Sequence, residues 1–150
     1  MPFTLSSQAF TDGAEIARRH TCDGEDRSPQ LTWREAPTGT RSFVLIVDDP
    51  DAPSGTFTHW VLFDIPAGLT ELSEASTGVG RNGRNDFGKN GYRGPCPPKG
   101  HGPHRYFFKL SALDVEAIDL PDGTARPRVE AAIKGHIVTT TQLVGRYERR

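Results

Sequence analysis

The chain has 150 residues, a formal net charge of −1 at pH 7, 35% apolar and 25% charged residues, which is enough for a modest core and rules out wholesale disorder. Sixteen Gly and twelve Pro argue against a helical bundle, because both residues interrupt helices and mark turns. With 18 Lys plus Arg against 19 Asp plus Glu and no apolar run long enough to span a bilayer, neither nucleic-acid binding nor membrane insertion is expected.

The amino terminus, Met1-Pro2-Phe3-Thr4-Leu5, has neither the basic segment nor the apolar stretch of a secretory signal, so a cytoplasmic protein is expected. Cys22 and Cys96 stand outside any CxxC pair, which excludes the common zinc and redox spacings. In a cytoplasmic protein they read as two separate small thiols, and a disulfide closing a long loop is the alternative the sequence leaves open.

Arg41 to Asp48 (RSFVLIVD) predicts a buried strand running into an Asp-Pro turn cluster. His59 to Ile65 alternates, which would put His59, Val61, Phe63 and Ile65 on one face and Trp60, Leu62 and Asp64 on the other. The irregular stretch from Thr77 to Gly94 is rich in Gly and Asn, yet Phe87 and Tyr92 predict a packed loop. Arg105 to Leu113 alternates again, with Tyr106, Phe108, Leu110 and Ala112 opposite Phe107, Lys109, Ser111 and Leu113. The spacing of Val129, Ala132 and Ile133 predicts a short helix over Arg128 to Lys134 closed by Gly135, and His136 to Tyr147 returns to β composition. With no internal repeat or boundary, the expectation is a single all-β domain over residues 1–150 with one or two short helices, its sheet centred on three antiparallel strands.

Two segments carry chemistry. One is Asp48-Asp49-Pro50-Asp51-Ala52-Pro53, with His59 eight residues after Asp51. The other runs from Gly94 to Tyr106 (GPCPPKGHGPHRY), in which His104 and Tyr106 share a strand face and Arg105 points away into an ion pair. Were both strands in one sheet, His59, His104 and Tyr106 would converge beneath two proline loops. Two imidazoles and a phenol are donors for a phosphate or carboxylate, an Asp can orient an imidazole, and the prolines hold the loops rigid without adding N–H donors. Asp48 reads as a turn or cap residue. Asp49, Asp51, His59, His101 and His104 are of metal-ligating type but lack tight ligand spacing, so neither metal nor cofactor is expected. Neither GxxxxGK[ST] nor GxGxxG occurs, and no GxSxG elbow is present.

In the same order, DDPDAP, THWVLFDIP, NDFGKNGYRGPCPPKGHGPHRYFFKLSALD and KGHIVTTTQLVGRY resemble the phosphatidylethanolamine-binding protein family, as does TCDGEDRSPQLTW at Thr21 to Trp33. The resemblance runs from Phe3 to Tyr147 and is to the short bacterial and archaeal members, which are themselves similar to Raf kinase inhibitor protein. It implies packed antiparallel sheets and a small anion-binding pocket at one end. Carried over by position, that pocket falls on Asp49, Asp51 and His59, with Cys96, Pro97 and Pro98 as wall, then His104 and Tyr106, and Phe57 at a position where some relatives place an aromatic wall. The chain is without the longer carboxy-terminal region of eukaryotic relatives, and His101 belongs to no family motif.

The combined expectation is a non-enzymatic protein that binds a small anionic or zwitterionic ligand (phosphate, phosphoethanolamine or a carboxylate) through its head group. The resemblance further implies a protein kinase or serine protease partner and a homodimer. Two alternatives stand beside it: an interaction module with a vestigial pocket, acting through the Thr77 to Gly94 surface, and a small acid/base enzyme using Asp49, His59 and His104.

Overall fold

The computed structural model describes residues 2–150, with Met1 outside the described residues. The strands are β1 (Thr4–Ser6), β2 (Leu31–Arg34), β3 (Ser42–Asp49), β4 (Phe57–Pro66), β5 (Glu71–Leu72), β6 (Arg81–Asn82), β7 (His104–Leu113) and β8 (Ile137–Tyr147). They form a three-stranded sheet in the order β1-β2-β5 and a five-stranded sheet in the order β6-β4-β3-β7-β8, every described pairing between named strands being antiparallel. One helix, α1 (Arg126–Ile133), and a 3-10 turn at Arg18–His20 complete the regular structure. The predicted helix thus begins two residues earlier than its apolar spacing suggests, because Pro127 is well placed in a first turn.

The five-stranded sheet is covered on both faces, which explains why every residue of β3 is buried. On one face Phe43, Leu45 and Val47 join Tyr106, Phe108, Leu110 and Ala112 of β7 in a core shared with Leu5, Leu31, Trp33 and Leu72 of the smaller sheet. On the other, Val44, Ile46, Val61, Phe63 and Leu113 pack on Val129 and Ile133 of α1. Strand β7 follows its expected alternation throughout.

Strand β4 does not, and the departure shapes the site. Val47 pairs with Trp60 whereas Asp48 pairs with Thr58, so His59 is an extra residue in the ladder. A second irregularity sets Leu45 against Leu62 and Phe43 against Ile65, with Asp64 at φ +57°. Each bulge shifts the parity of the strand by one. Val61 and Phe63 therefore face α1, while Trp60, Leu62 and Ile65 face the smaller sheet, and the single-face set of His59, Val61, Phe63 and Ile65 expected from strict alternation does not form.

Two further expectations are corrected. Asp48 is no turn or cap residue: it is buried on the α1 side, where its Oδ2 accepts from Lys109 Nζ at 3.0 Å and Arg126 at 2.8 Å. Cys22 and Cys96 are not separate thiols but a disulfide, across a sequence separation of 74. The pairing follows from a non-local approach, in which the Cys22 N–H donates to the Pro95 carbonyl and the Gly94 N–H to Asp26.

Closing a loop of that length is worth about 4 kcal/mol in the chain-entropy account. The double variant Cys22→Ser/Cys96→Ser is expected to lose a stability of that order in urea unfolding, and the wild type to fall to the same midpoint in excess dithiothreitol. An unchanged midpoint in both would count against the bond as a stabilising cross-link.

Candidate functional site

Because β3 runs opposite to both of its neighbours, its carboxyl end lies beside the amino ends of β4 and β7. Asp49, His59 and the His104/Tyr106 pair, spread over a span from residue 49 to residue 106, thereby come together at one end of the sheet, and all four are at least 97% buried. They line a cavity of about 240 Å³ with Phe57 and with Cys96, Pro97 and Pro98. Ala52, Pro53, Ser54 and Phe87 also line it. Ala52 and Pro53 belong to the proline segment singled out in the sequence, whereas Ser54 and Phe87 carried no signal toward a site, since small and loop aromatic residues look alike in turns anywhere.

The floor is held by hydrogen bonds. Asp49 Oδ1 accepts the N–H of Asp51 at 2.8 Å, and Oδ2 accepts from His104 Nδ1 at 2.6 Å. On the far side of the His104 ring, Nε2 faces His101 Nδ1 at 2.6 Å. Asp51 is not brought to the cavity: its carboxylate accepts from the backbone N–H and the guanidinium of Arg105 at 2.8–2.9 Å, which pins the proline turn to β7. Arg105 holds the Asp51 carboxyl down to about 2. Arg105 thus forms the outward ion pair its strand parity predicted.

His59 owes its position to the first bulge. Its Nδ1 donates to the Arg93 carbonyl at 2.7 Å, and its own carbonyl accepts the Arg93 N–H at 3.1 Å, so the loop before Gly94 grips the bulged residue at both ends. The ring lies edge-on to Tyr106 and against Phe57 and Phe87, with centroids 5.1–5.5 Å apart. Burial is the largest influence on its pKa and lowers it below the usual imidazole range, against the Arg93 carbonyl and the Asp49 charge, which raise it. With Nδ1–H committed to Arg93, the neutral ring offers Nε2 as an acceptor.

The Tyr106 hydroxyl is buried and has no hydrogen-bond partner among the described residues. Burial, followed by the nearby Asp49 charge, raises its pKa far above the phenolic range, so it stays protonated at physiological pH. The loop from Thr77 to Gly94 is packed as expected: Tyr92 donates to the His20 carbonyl at 2.7 Å and stacks edge-on against Trp60, and buried Asn85 bridges backbone groups at Phe87, Lys89 and Gly91. Phe87 itself stays 42% exposed at the cavity mouth. No group of three or more His, Cys, Asp or Glu residues is arranged to hold a metal ion among the described residues, and no described helix is long and apolar enough to cross a membrane.

A buried donor-rich floor under rigid proline walls, at one end of packed antiparallel sheets, defines a class of small-pocket β proteins. The family model for phosphatidylethanolamine-binding protein matches residues 6–148, and the chain belongs to that family. It is 52% identical to the UPF0098 protein of Aquifex aeolicus over 149 residues, covering 95% of this chain and 86% of that protein. Among solved structures it is similar to E. coli YbcL, described as a member of the mammalian PEBP family, with a TM-score of 0.94 and 34% identity over the whole of both chains. A carboxypeptidase Y inhibitor solved with its cognate proteinase has a TM-score of 0.61 at 17% identity, over 99% of this chain and 84% of that one, a likeness of fold alone.

The lowered pKa of His59 has a definite sign in stability. Between the folded value and the unfolded one of about 6.5, the unfolded chain binds more protons, so this residue's contribution is complete above that range and is lost as pH falls through it. Urea-unfolding free energies of the wild type are therefore expected to decline on acidification below about pH 6.5 more steeply than those of His59→Gln. Parallel profiles would mean that the ring is not held neutral.

Proposed function

We propose that the protein is a binding protein whose cavity takes a small phosphate-bearing or other anionic head group, with Tyr106, His59 and His104 as its polar contacts and Asp49 orienting His104. The observation that carries this reading is the Tyr106 hydroxyl, a buried donor with no protein acceptor at the floor of a cavity. Such a group is costly to leave unmatched, and an oxyanion satisfies it. The neutral His59 ring gains a proton as an anion arrives, adding a charge-assisted hydrogen bond. The largely apolar walls formed by Phe57, Phe87, Pro53, Pro97 and Pro98 lower the local dielectric and so strengthen each of these contacts. A cavity of about 240 Å³ suits a head group and leaves no room for acyl chains.

Asp51 enters this reading as the residue that fixes the proline turn through Arg105 rather than as a ligand contact. The acid/base enzyme alternative would rest on Asp49, His59 and His104 alone, because Cys96 is bound to Cys22 and offers no free thiol. A kinase or protease partner stays within the proposal as a consequence of family membership, and the proteinase complex speaks for the inhibitor in it. We place the protein in an oxidising setting rather than the reducing cytoplasm first expected, since a structural disulfide persists where thiols are not kept reduced.

Titration with phosphoethanolamine, followed by tryptophan fluorescence and calorimetry, tests the reading. Wild type is expected to bind saturably and His104→Ala to lose binding. Tyr106→Phe separates function from folding: because the hydroxyl bonds to no protein atom, its removal should leave stability within about 1 kcal/mol and weaken binding about fivefold. A variant that binds as wild type does would remove the hydroxyl from the ligand site.

A further inference from the structure

His104 has two ring nitrogens, and protein atoms occupy both. Nδ1–H donates to Asp49, and Nε2 meets His101 Nδ1 at 2.6 Å. A hydrogen bond from His104 to anything in the cavity therefore requires His101 to move away. We propose that His101 is a latch: a built-in competitor that covers His104 in the free protein, gives way to a bound anion, and is released by protonation. The proposal rests on the anion-pocket reading above.

The argument is one of proton count. Two imidazole nitrogens 2.6 Å apart share one proton, on whichever ring, because two N–H groups cannot point at each other at that distance. Adding a second proton to the pair forces it apart. The His104 ring is tied to the Asp49 carboxylate, whereas His101 is exposed and can swing out into water. The other ionisable groups around the pair are Asp51 in the turn after β3, His59 on β4, Tyr106 and Arg105 on β7, Tyr147 opposite His104 on β8, exposed Lys99 in the same loop as His101, and Arg149, whose carbonyl anchors the Gly100 N–H. Tyr147 donates to Asp23, and neither it nor any of the others bonds to the facing ring nitrogens, so the proton between them is shared by His101 and His104.

Release is mechanically easy. His101 stands between Gly100 and Gly102, at φ +75° and +87°, with open space beside both glycines. Swinging its side chain away breaks the bond to His104 and can leave the backbone bonds of His101 to Pro98 and of Gly100 to Arg149 in place. Once it has left, Nε2–H of a protonated His104 becomes a donor directed outward from the Asp49 pair. An anion that must first displace the latch binds more weakly by the fraction of molecules already open, a factor of about five to ten for one net hydrogen bond.

The test is calorimetric titration of inorganic sulfate, which stays a dianion across the range, from about pH 5 to about pH 7.5 into wild type, His101→Ala and His101→Gln. His101→Ala is expected to bind about fivefold more tightly than wild type at the upper pH, with the gap closing at the lower one. His101→Gln, whose amide can bond to Nε2 in either protonation state and does not titrate, should stay weak at both. Equal or weaker binding by His101→Ala at the upper pH would overturn the latch and leave the pocket standing. Absence of sulfate binding in all three proteins would overturn the pocket and the latch together.

Discussion

Asp49 is a carboxylate with 3% exposure at the end of the central strand, and an unpaired charge there would cost several kcal/mol. Much of the site is the means by which that cost is avoided. One oxygen takes the N–H of Asp51, which bends the chain into the proline turn, and the other takes His104, which fixes that ring's tautomer and orientation. The bend delivers Asp51 to Arg105, so the turn is tied a second time to the strand that carries His104. The two ties enforce each other: the turn cannot lift without stranding Asp49, and β7 cannot slide without breaking the Arg105 pair.

The preceding residue meets the same constraint on the opposite face. Adjacent strand residues point apart, so Asp48 is buried toward α1, where Lys109 and Arg126 neutralise it. Arg126 also reaches Thr58 at 3.2 Å and thereby links helix, β3 and β4. Two consecutive buried aspartates thus fasten the two faces of one sheet end, one through cations and one through imidazole. The cationic side satisfies Asp48 Oδ2 and leaves Oδ1 buried without a partner, and the imidazole side leaves the Tyr106 hydroxyl in the same condition, but of these two residues only Tyr106 lines the cavity of about 240 Å³.

What could be read from the sequence follows how local the cause is. Strand β7 was legible because its ten residues keep an unbroken alternation and a regular register with β3. Helix α1 was legible to within two residues because its spacing and Gly135 are local signals. Strand β4 was misread because its bulges depend on partners elsewhere: His59 is held out of the ladder by Arg93, 34 residues on. The convergence of His59, His104 and Tyr106 was nonetheless anticipated, though for the wrong face logic, since the bulge turns His59 toward Tyr106 and away from Val61. The Cys22–Cys96 bond was hidden because nothing within 70 residues of either cysteine announces the approach. Asp48 could have been placed by parity alone, because a strand buried on both faces leaves no exposed neighbour for Asp49, but Arg126 lies 78 residues away. His101, a lone histidine between glycines, has a local context that says nothing of His104.

The bulge and the disulfide act on the same wall from opposite sides. The disulfide draws Cys96, Pro97 and Pro98 against the Thr21–Asp23 segment, while the Arg93 backbone grips His59 at both its ring and its carbonyl. Between these two anchors run only Gly94 and Pro95, and a side chain at Gly94 would collide with the His20 carbonyl, so the link has little freedom left. The walls are consequently ordered before anything enters, and the conformational entropy that ordering them would cost on binding has already been spent in folding. The exposed residues here are Phe87, at the cavity wall, and His101, beside the lining residue His104. On the anion-pocket reading proposed above, a rigid floor keeps the donor geometry constant, and differences in affinity between ligands would arise at these exposed residues rather than in the packing of the core.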